Sequence, residues 1–181
     1  MLRRILERFA PGGTAAQRAA HALYGTVVAR ARDPWLYARA GVPDTLDGRF
    51  EMLVWHLAPL VARLHRGGGE GPAVAQELFD AFLADMDAAM REEGVGDQAV
   101  PKRLQKMTRA FQGHGKALDD WRDDGRSVDA LSALLERNVT DLSDGTTLAA
   151  CLEAHDAAVF ASPYEELVAG RFRPVPLERA A

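Results

Sequence analysis

The amino-acid sequence predicts an all-α fold: a single-domain, irregular bundle of about seven to nine helices. Three observations carry that prediction. Apolar residues recur at helical spacing in every window, and no segment alternates as a half-buried strand would. Capping residues, first-turn prolines and terminal glycines punctuate the periodic segments. The stretch over residues 78–111 joins two amphipathic patterns through a glycine-rich elbow. No internal repeat is visible.

Residues 1–9, MLRRILERF, read as a short amphipathic helix, with Leu2, Ile5, Leu6 and Phe9 on one face and Arg3, Arg4 and Arg8 elsewhere. Such a segment suits a terminal helix docked on the body or an interfacial anchor on anionic lipid. Its shortness and Glu7 argue against a mitochondrial presequence. Pro11-Gly12-Gly13 ends this N-terminal segment (1–13), and a helical domain is expected over 14–170. Thr14 and Gln17 form a capping box for a helix to about Arg32, with Ala20, Leu23, Tyr24, Val27 and Val28 inward. Asp33-Pro34 stops it, because the residue before proline is pushed out of the α region. Pro34 opens a short helical turn holding Trp35, Leu36 and Tyr37, Gly41 closes it, and 42–46 is a loop.

Thr45 or Asp47 caps a longer helix in which Phe50, Leu53, Val54, Leu57, Leu60, Val61 and Leu64 repeat; Pro59 should kink it. Residues 67–71 read as a loop. A phosphate-cradling loop would need a preceding strand and a Lys-Ser/Thr after the glycines, whereas Pro72 and Ala73 follow here, and Gly115-Lys116 fails the same test.

In the helix that follows, Leu78, Phe79, Phe82, Leu83, Met86 and Met90 fall within about 140° of arc, enough for a core-facing stripe. Asp80, Asp87 and Arg91 lie opposite. Asp85 stands at the edge of the apolar arc, where a partly buried carboxylate paired with a basic residue of another helix is expected. Gly94 suits a positive φ at the helix end. Asp97 is an N-cap candidate and Pro101 fits the next first turn. There Lys102, Arg103, Lys106 and Arg109 span about 120° of arc, with Leu104, Met107 and Phe111 on the other side.

Gly113-His114-Gly115 should weaken or bend the helix, which continues to about Asp124. Ser127 caps another helix, with Val128, Leu131, Leu134 and Leu135 inward and Asn138 as a stop. A helix from Ser143 or Asp144 to Phe160 carries Leu148, Leu152, Val159 and Phe160. Ser162-Pro163-Tyr164-Glu165 reads as an N-cap, a proline at N1 and a glutamate at N3 of a short helix ending at Gly170. The tail, 171–181, with Pro174 and Pro176, is expected to be extended or disordered.

Composition narrows the function classes. A chain of 181 residues with 48% hydrophobic and 27% charged residues suits one soluble globular domain. A net charge of −4 argues against DNA as a partner, so any attraction to RNA or anionic lipid must be local. The single cysteine, Cys151, rules out an internal disulfide and any multi-cysteine metal site and reads as a buried structural thiol. With no long apolar run and no secretory signal, a reduced, cytoplasmic-type compartment is the expectation.

Catalytic signals are weak. His21, His56, His65, His114 and His155 are scattered, and none joins another ligand in a recognised metal pattern. His56, between Trp55 and Leu57, reads first as a hydrogen-bonded core residue. Asp80 and Asp87 share a face two turns apart, on the order of 10 Å, which fits a solvated face better than a carboxylate pair. No cofactor is expected.

The wording of the elbow is more specific. Leu78-Phe79-Asp80, Asp85-Met86-Asp87, Arg91-Glu92-Glu93-Gly94-Val95-Gly96-Asp97 and Val100-Pro101-Lys102 resemble the ubiquinol–cytochrome c chaperone family, assembly factors for cytochrome b of the bc1 complex. Tyr24, the Trp35-Tyr37 segment and Asp47-Gly48-Arg49-Phe50-Glu51 with His56 look like its earlier blocks, so the resemblance covers roughly residues 21–138, or as far as Tyr164. The sequence departs at Phe111-Gln112-Gly113-His114-Gly115, where the family tends to have an aromatic residue and an arginine after the phenylalanine. The resemblance implies an all-α, non-enzymatic chaperone whose partners are nascent or newly inserted cytochrome b, the ribosome and an anionic membrane surface. Its partner-binding candidates are Asp80, Asp85, Asp87, Arg91, Lys102, Arg103, Lys106 and Arg109. Met52, Met86, Met90 and Met107 could form an adaptable client surface or ordinary core. Two other readings stand beside it: a peripheral lipid- or RNA-binding module using the basic face from Lys102 to Arg109, and a helical enzyme built on Asp85 and His56.

Overall fold

The computed structural model describes residues 13–177. The fold is all-α. Among these residues the helices are α1 (Ala15–Ala31), α2 (Pro34–Ala38), α3 (Leu46–Gly67), α4 (Gly71–Glu92), α5 (Val100–Asp123), α6 (Val128–Asn138), α7 (Gly145–Ala161) and α8 (Tyr164–Val168). The amphipathic segment read over residues 1–9 lies outside the described residues.

Helix α3 is the axis of the bundle. It packs against α1, α4, α5, α7 and α8, and every residue from 52 to 60 is buried. A helix apolar on all sides belongs inside a bundle. The helix runs unbroken through Pro59. Its polar interruption, His56, is 0% exposed, and its Nδ1 donates to the Met52 carbonyl at 2.7 Å. Met52, Met86 and Met90 are buried with the leucines and valines, so these three are core, while Met107 is half-buried.

Most caps follow the sequence. Thr14 and Gln17 make the reciprocal capping box, Thr45 accepts from the Gly48 N–H, Ser127 from Ala130 and Asp144 from Thr147. Three expectations are corrected. Asp97 does not cap α5: Ala99 is the N-cap and makes no side-chain bond, because Asp97 turns back to Arg91. Ser162 does not cap α8 either, since its hydroxyl donates backward to the Ala158 carbonyl at 2.8 Å. As expected from the sequence, α5 continues through Gly113 and Gly115, to Asp123.

The third correction is the glycine run. Gly67 and Gly71 are helical, leaving only 68–70 between α3 and α4. The reason is Tyr164. Its hydroxyl lies 3.0 Å from the Leu64 carbonyl and 2.6 Å from that of Gly68, at the end of α3. A Cβ on Gly71 would sit 1.7 Å from that hydroxyl, and one on Gly67 2.0 Å from the ring. The glycines make a seat for a tyrosine, not a phosphate loop. Beyond α8 residues 171–176 form no helix or strand, Phe172 and Leu177 are buried, and the end of the expected tail, 178–181, lies outside the described residues.

Candidate partner-binding site

The site expected from sequence spans the α4–α5 elbow. Gly94 has φ +80°, as its place after α4 requires, and Val95 N–H closes the end by donating to the Met90 carbonyl at 3.0 Å. Arg91 fixes the turn from the side: Nε donates to Asp87 at 2.7 Å, while Nη1 donates to Asp97 across the elbow. Asp80, on the same helix, accepts from Gln76 at 2.9 Å. Asp80 and Arg91 are exposed and Asp87 is half-buried.

Asp85 differs from its neighbours and from the expectation. It is 6% exposed, and its partner is the Tyr24 hydroxyl of α1 at 2.9 Å, not a basic residue. Burial, then the adjacent carboxylate, push the Tyr24 pKa far above the ordinary phenol range, so the hydroxyl keeps its proton and donates it. A tyrosine meets the need of a buried carboxylate for a donor without bringing a second charge indoors. Asp85 therefore belongs to the α1–α4 packing seam, away from the surface presented by Asp80 and Arg91.

The cationic members lie together on α5. Lys102, Arg103, Lys106 and Arg109 are all exposed, and none forms an ion pair with a described residue. The helix turns these four side chains outward because Val100, Phe111 and Leu118 are drawn into the core from its other face. Without internal neutralisation their charges add, giving an anion-attracting strip on an acidic chain.

The earlier sequence block, Asp47 to Glu51 with His56, is structural. Arg49 pairs with Asp44 at 2.7 Å, and Phe50 stacks on Phe82 of α4. Glu51 joins α3 to α5: its Oε2 accepts from Trp55 Nε1 at 3.0 Å and from His114 Nε2 at 2.7 Å. His114 Nδ1 faces the Ala110 carbonyl at 2.7 Å, so both ring nitrogens face acceptors. The departure at Gly113-His114-Gly115 thus supplies an internal tie. His56 meets His155 ring to ring at 4.8 Å, and His155 Nε2 donates to the His56 carbonyl at 3.0 Å. Burial lowers both imidazoles, His155 to about 4, so both are neutral near neutrality.

Two buried features carried no signal in the sequence. Arg122 of α5 grips Asp156 of α7, with Nε at 3.0 Å and Nη2 at 2.5 Å from Oδ1, and Arg126 reaches the other oxygen at 2.9 Å. Arg30 of α1 is 7% exposed. Cys151 is buried, as expected, and burial pushes its thiol up to about 11. Among the described residues no group of three His, Cys, Asp or Glu side chains is arranged to hold a metal ion, and no helix is long and apolar enough to cross a membrane. Asp85 and His56 have separate partners and do not form one acid–base site.

Comparison with protein families matches residues 38–175 to the family described as ubiquinol-cytochrome C chaperone. Among solved structures, the chain is similar to the crystal structure of the Cbp3 homolog from Brucella abortus. Sequence identity is 31%, 99% of each chain is covered and the TM-score is 0.82. Comparison with curated proteins gives no match.

Proposed function

This chain belongs to the ubiquinol–cytochrome c chaperone family, and we propose that its client is cytochrome b of the bc1 complex. In this reading it holds the client during assembly and catalyses no reaction. The carrying observation is the strip of four exposed cations on α5, none paired with a described residue, in a chain that matches the family over 38–175. A newly inserted membrane protein is approached at an anionic membrane surface, and one still being made is approached beside an anionic ribosome. A local cationic strip suits either setting on a chain whose net charge of −4 would otherwise repel both. The protein would then work in the cytoplasm, peripheral to the inner face of the inner membrane.

Of the candidate contacts, Asp80, Asp87, Arg91, Lys102, Arg103, Lys106 and Arg109 form the proposed face, while Asp85 supports it from beneath α4. The buried methionines leave Met107 as the one of the four with side-chain surface beside that face. The test is isolation of the full chain from its own membranes under mild detergent. Recovery of cytochrome b, with loss of assembled bc1 complex when the chain is deleted, is expected. Normal bc1 assembly in the deletion strain would refute the reading.

A further inference from the structure

A cavity of about 710 Å³ lies between α1 and the strap, residues 171–176, that follows α8. That volume is within the range of small-molecule sites, roughly 300–1,000 Å³. Its walls are mainly apolar: Val28 and Ala29 on the helix, and Phe172, Pro174 and Pro176 on the strap. Arg30 also lines it. This arginine is 7% exposed, and its Nε and Nη2 are buried without a hydrogen-bond partner among the described residues.

Two buried guanidinium nitrogens without an acceptor among the described residues are costly, because their lost hydration is not replaced. Asp33 lines the same cavity but makes no ion pair with Arg30; its Oδ1 accepts the Trp35 N–H that starts α2, at 3.0 Å. Arg173 adds a second cation from the strap, so two arginines face one aspartate and the lining is net positive. Burial lowers the Arg30 pKa, and the guanidinium still remains a cation near neutrality because its ordinary range is so high.

We propose that this cavity binds an anionic amphiphile: an apolar body lies between α1 and the strap, and a terminal oxyanion, carboxylate or phosphate, pairs with Arg30. The oxyanion supplies the acceptors that Arg30 lacks, in the forked geometry a guanidinium favours. The apolar body covers the Val28, Phe172 and proline walls. This site is separate from the cationic strip on α5 and does not depend on the identity of the client.

The test compares dodecanoate with dodecanol, its neutral counterpart, by titration calorimetry on the full chain, and adds phosphatidylglycerol vesicles. Two variants are used. Arg30→Met removes the charge at similar volume. Gly25→Phe keeps Arg30 and fills the cavity; Gly25 lines it, and a Cβ there meets nothing within 4 Å. Dodecanoate should bind more tightly than dodecanol, and Arg30→Met should weaken dodecanoate by about tenfold or more, the loss of a charge-assisted hydrogen bond. Gly25→Phe should abolish binding while leaving the circular dichroism spectrum unchanged. Binding of dissolved dodecanoate without vesicle retention identifies a free amphiphile; vesicle retention lost in both variants identifies a bilayer headgroup. Equal affinity for dodecanol and dodecanoate, or dodecanoate and vesicle binding that neither variant reduces, overturns the proposal.

Discussion

The Tyr24 hydroxyl donates to the Asp85 carboxylate at 2.9 Å, across 61 residues of sequence and inside the seam between α1 and α4. The bond is buried at both ends, so removing either partner strands the other. Tyr24→Phe should cost about 1–3 kcal/mol, the penalty of an unsatisfied buried polar group. Asp85→Asn, which still accepts, should cost less than Asp85→Ala. Urea denaturation of the single variants and of the Tyr24→Phe/Asp85→Ala pair gives the coupling directly. Strictly additive effects would show that the bond contributes nothing.

A larger loss is expected at Asp156, which is 1% exposed between Arg122 and Arg126. Asp156→Ala removes the anion that two guanidinium groups share, leaving Arg122 with the half-buried Asp119 and the Phe160 ring at 4.7 Å, and Arg126 with Glu153 at 3.6 Å. Breaking a buried pair by removing one member costs about 3–5 kcal/mol. Thermal unfolding should show a markedly lower midpoint than for Asp120→Ala, whose pairing with Lys116 is exposed. Similar midpoints would mean that the Asp156 cluster is energetically silent.

The paired imidazoles set the acid limb of stability. Their pKa values are lowered in the folded chain, His155 to about 4 against an ordinary 6.5. Between those values the unfolded chain binds protons that the folded chain refuses, so stability is intact above pH 6.5 and falls as pH drops toward 4. Each such group adds a slope of up to about 1.4 kcal/mol per pH unit. His155→Gln keeps a donor for the His56 carbonyl but cannot titrate, and should flatten the curve. A wild-type protein equally stable at pH 7 and pH 5 would exclude this account.

Two glycines should respond in opposite directions. Gly94 has φ +80° and open space around a built Cβ, so the cost of Gly94→Val is backbone strain alone, about 1–2 kcal/mol. Gly113 lies inside α5 with nothing near its Cβ and an ordinary helical backbone. Gly113→Ala should stabilise by about 0.5–1 kcal/mol by restricting the unfolded chain. Chemical denaturation of both variants checks the signs. Destabilisation by Gly113→Ala would mean the helix needs its flexibility there.

These cases show what a sequence reveals. Local periodicity and reciprocal caps depend on residues three or four apart, so the helices, the Thr14–Gln17 box and the Gly94 turn are legible. Asp97 and Ser162 mislead because a capping side chain can bond elsewhere within its own neighbourhood, to Arg91 and to Ala158. The helical wheel places Asp85 at the edge of the core but cannot name Tyr24 as its partner. The Arg122–Asp156 grip and the lone guanidinium of Arg30 depend on which helices meet, and no local pattern encodes that. The cationic strip on α5 is legible because it is defined by one helix and by side chains that stay exposed among the described residues.

That strip gives the most direct functional prediction. Lys102 and Lys106 stand one turn apart on the exposed face of α5, with Arg103 and Arg109 beside them, and none is engaged in an ion pair with a described residue. Lys102→Glu with Lys106→Glu therefore removes no ion pair with a described residue. Stability should change by less than about 1 kcal/mol, the scale of exposed charge effects. Two cations become two anions, so attraction to an anionic partner is replaced by repulsion. Binding should weaken at low salt, and raising ionic strength should produce the same loss in the unmodified chain as screening shortens its reach to about 8–10 Å. Recovery of cytochrome b, of ribosomes and of anionic vesicles can be measured side by side, which shows which partner reads the strip. A reduced yield for one of the three assigns the strip to that partner. Undiminished yield of all three, from a variant shown to be folded, would leave the strip as solvated surface. The contact would then have to lie on another face, where Met107 and the half-buried Leu104 offer apolar surface.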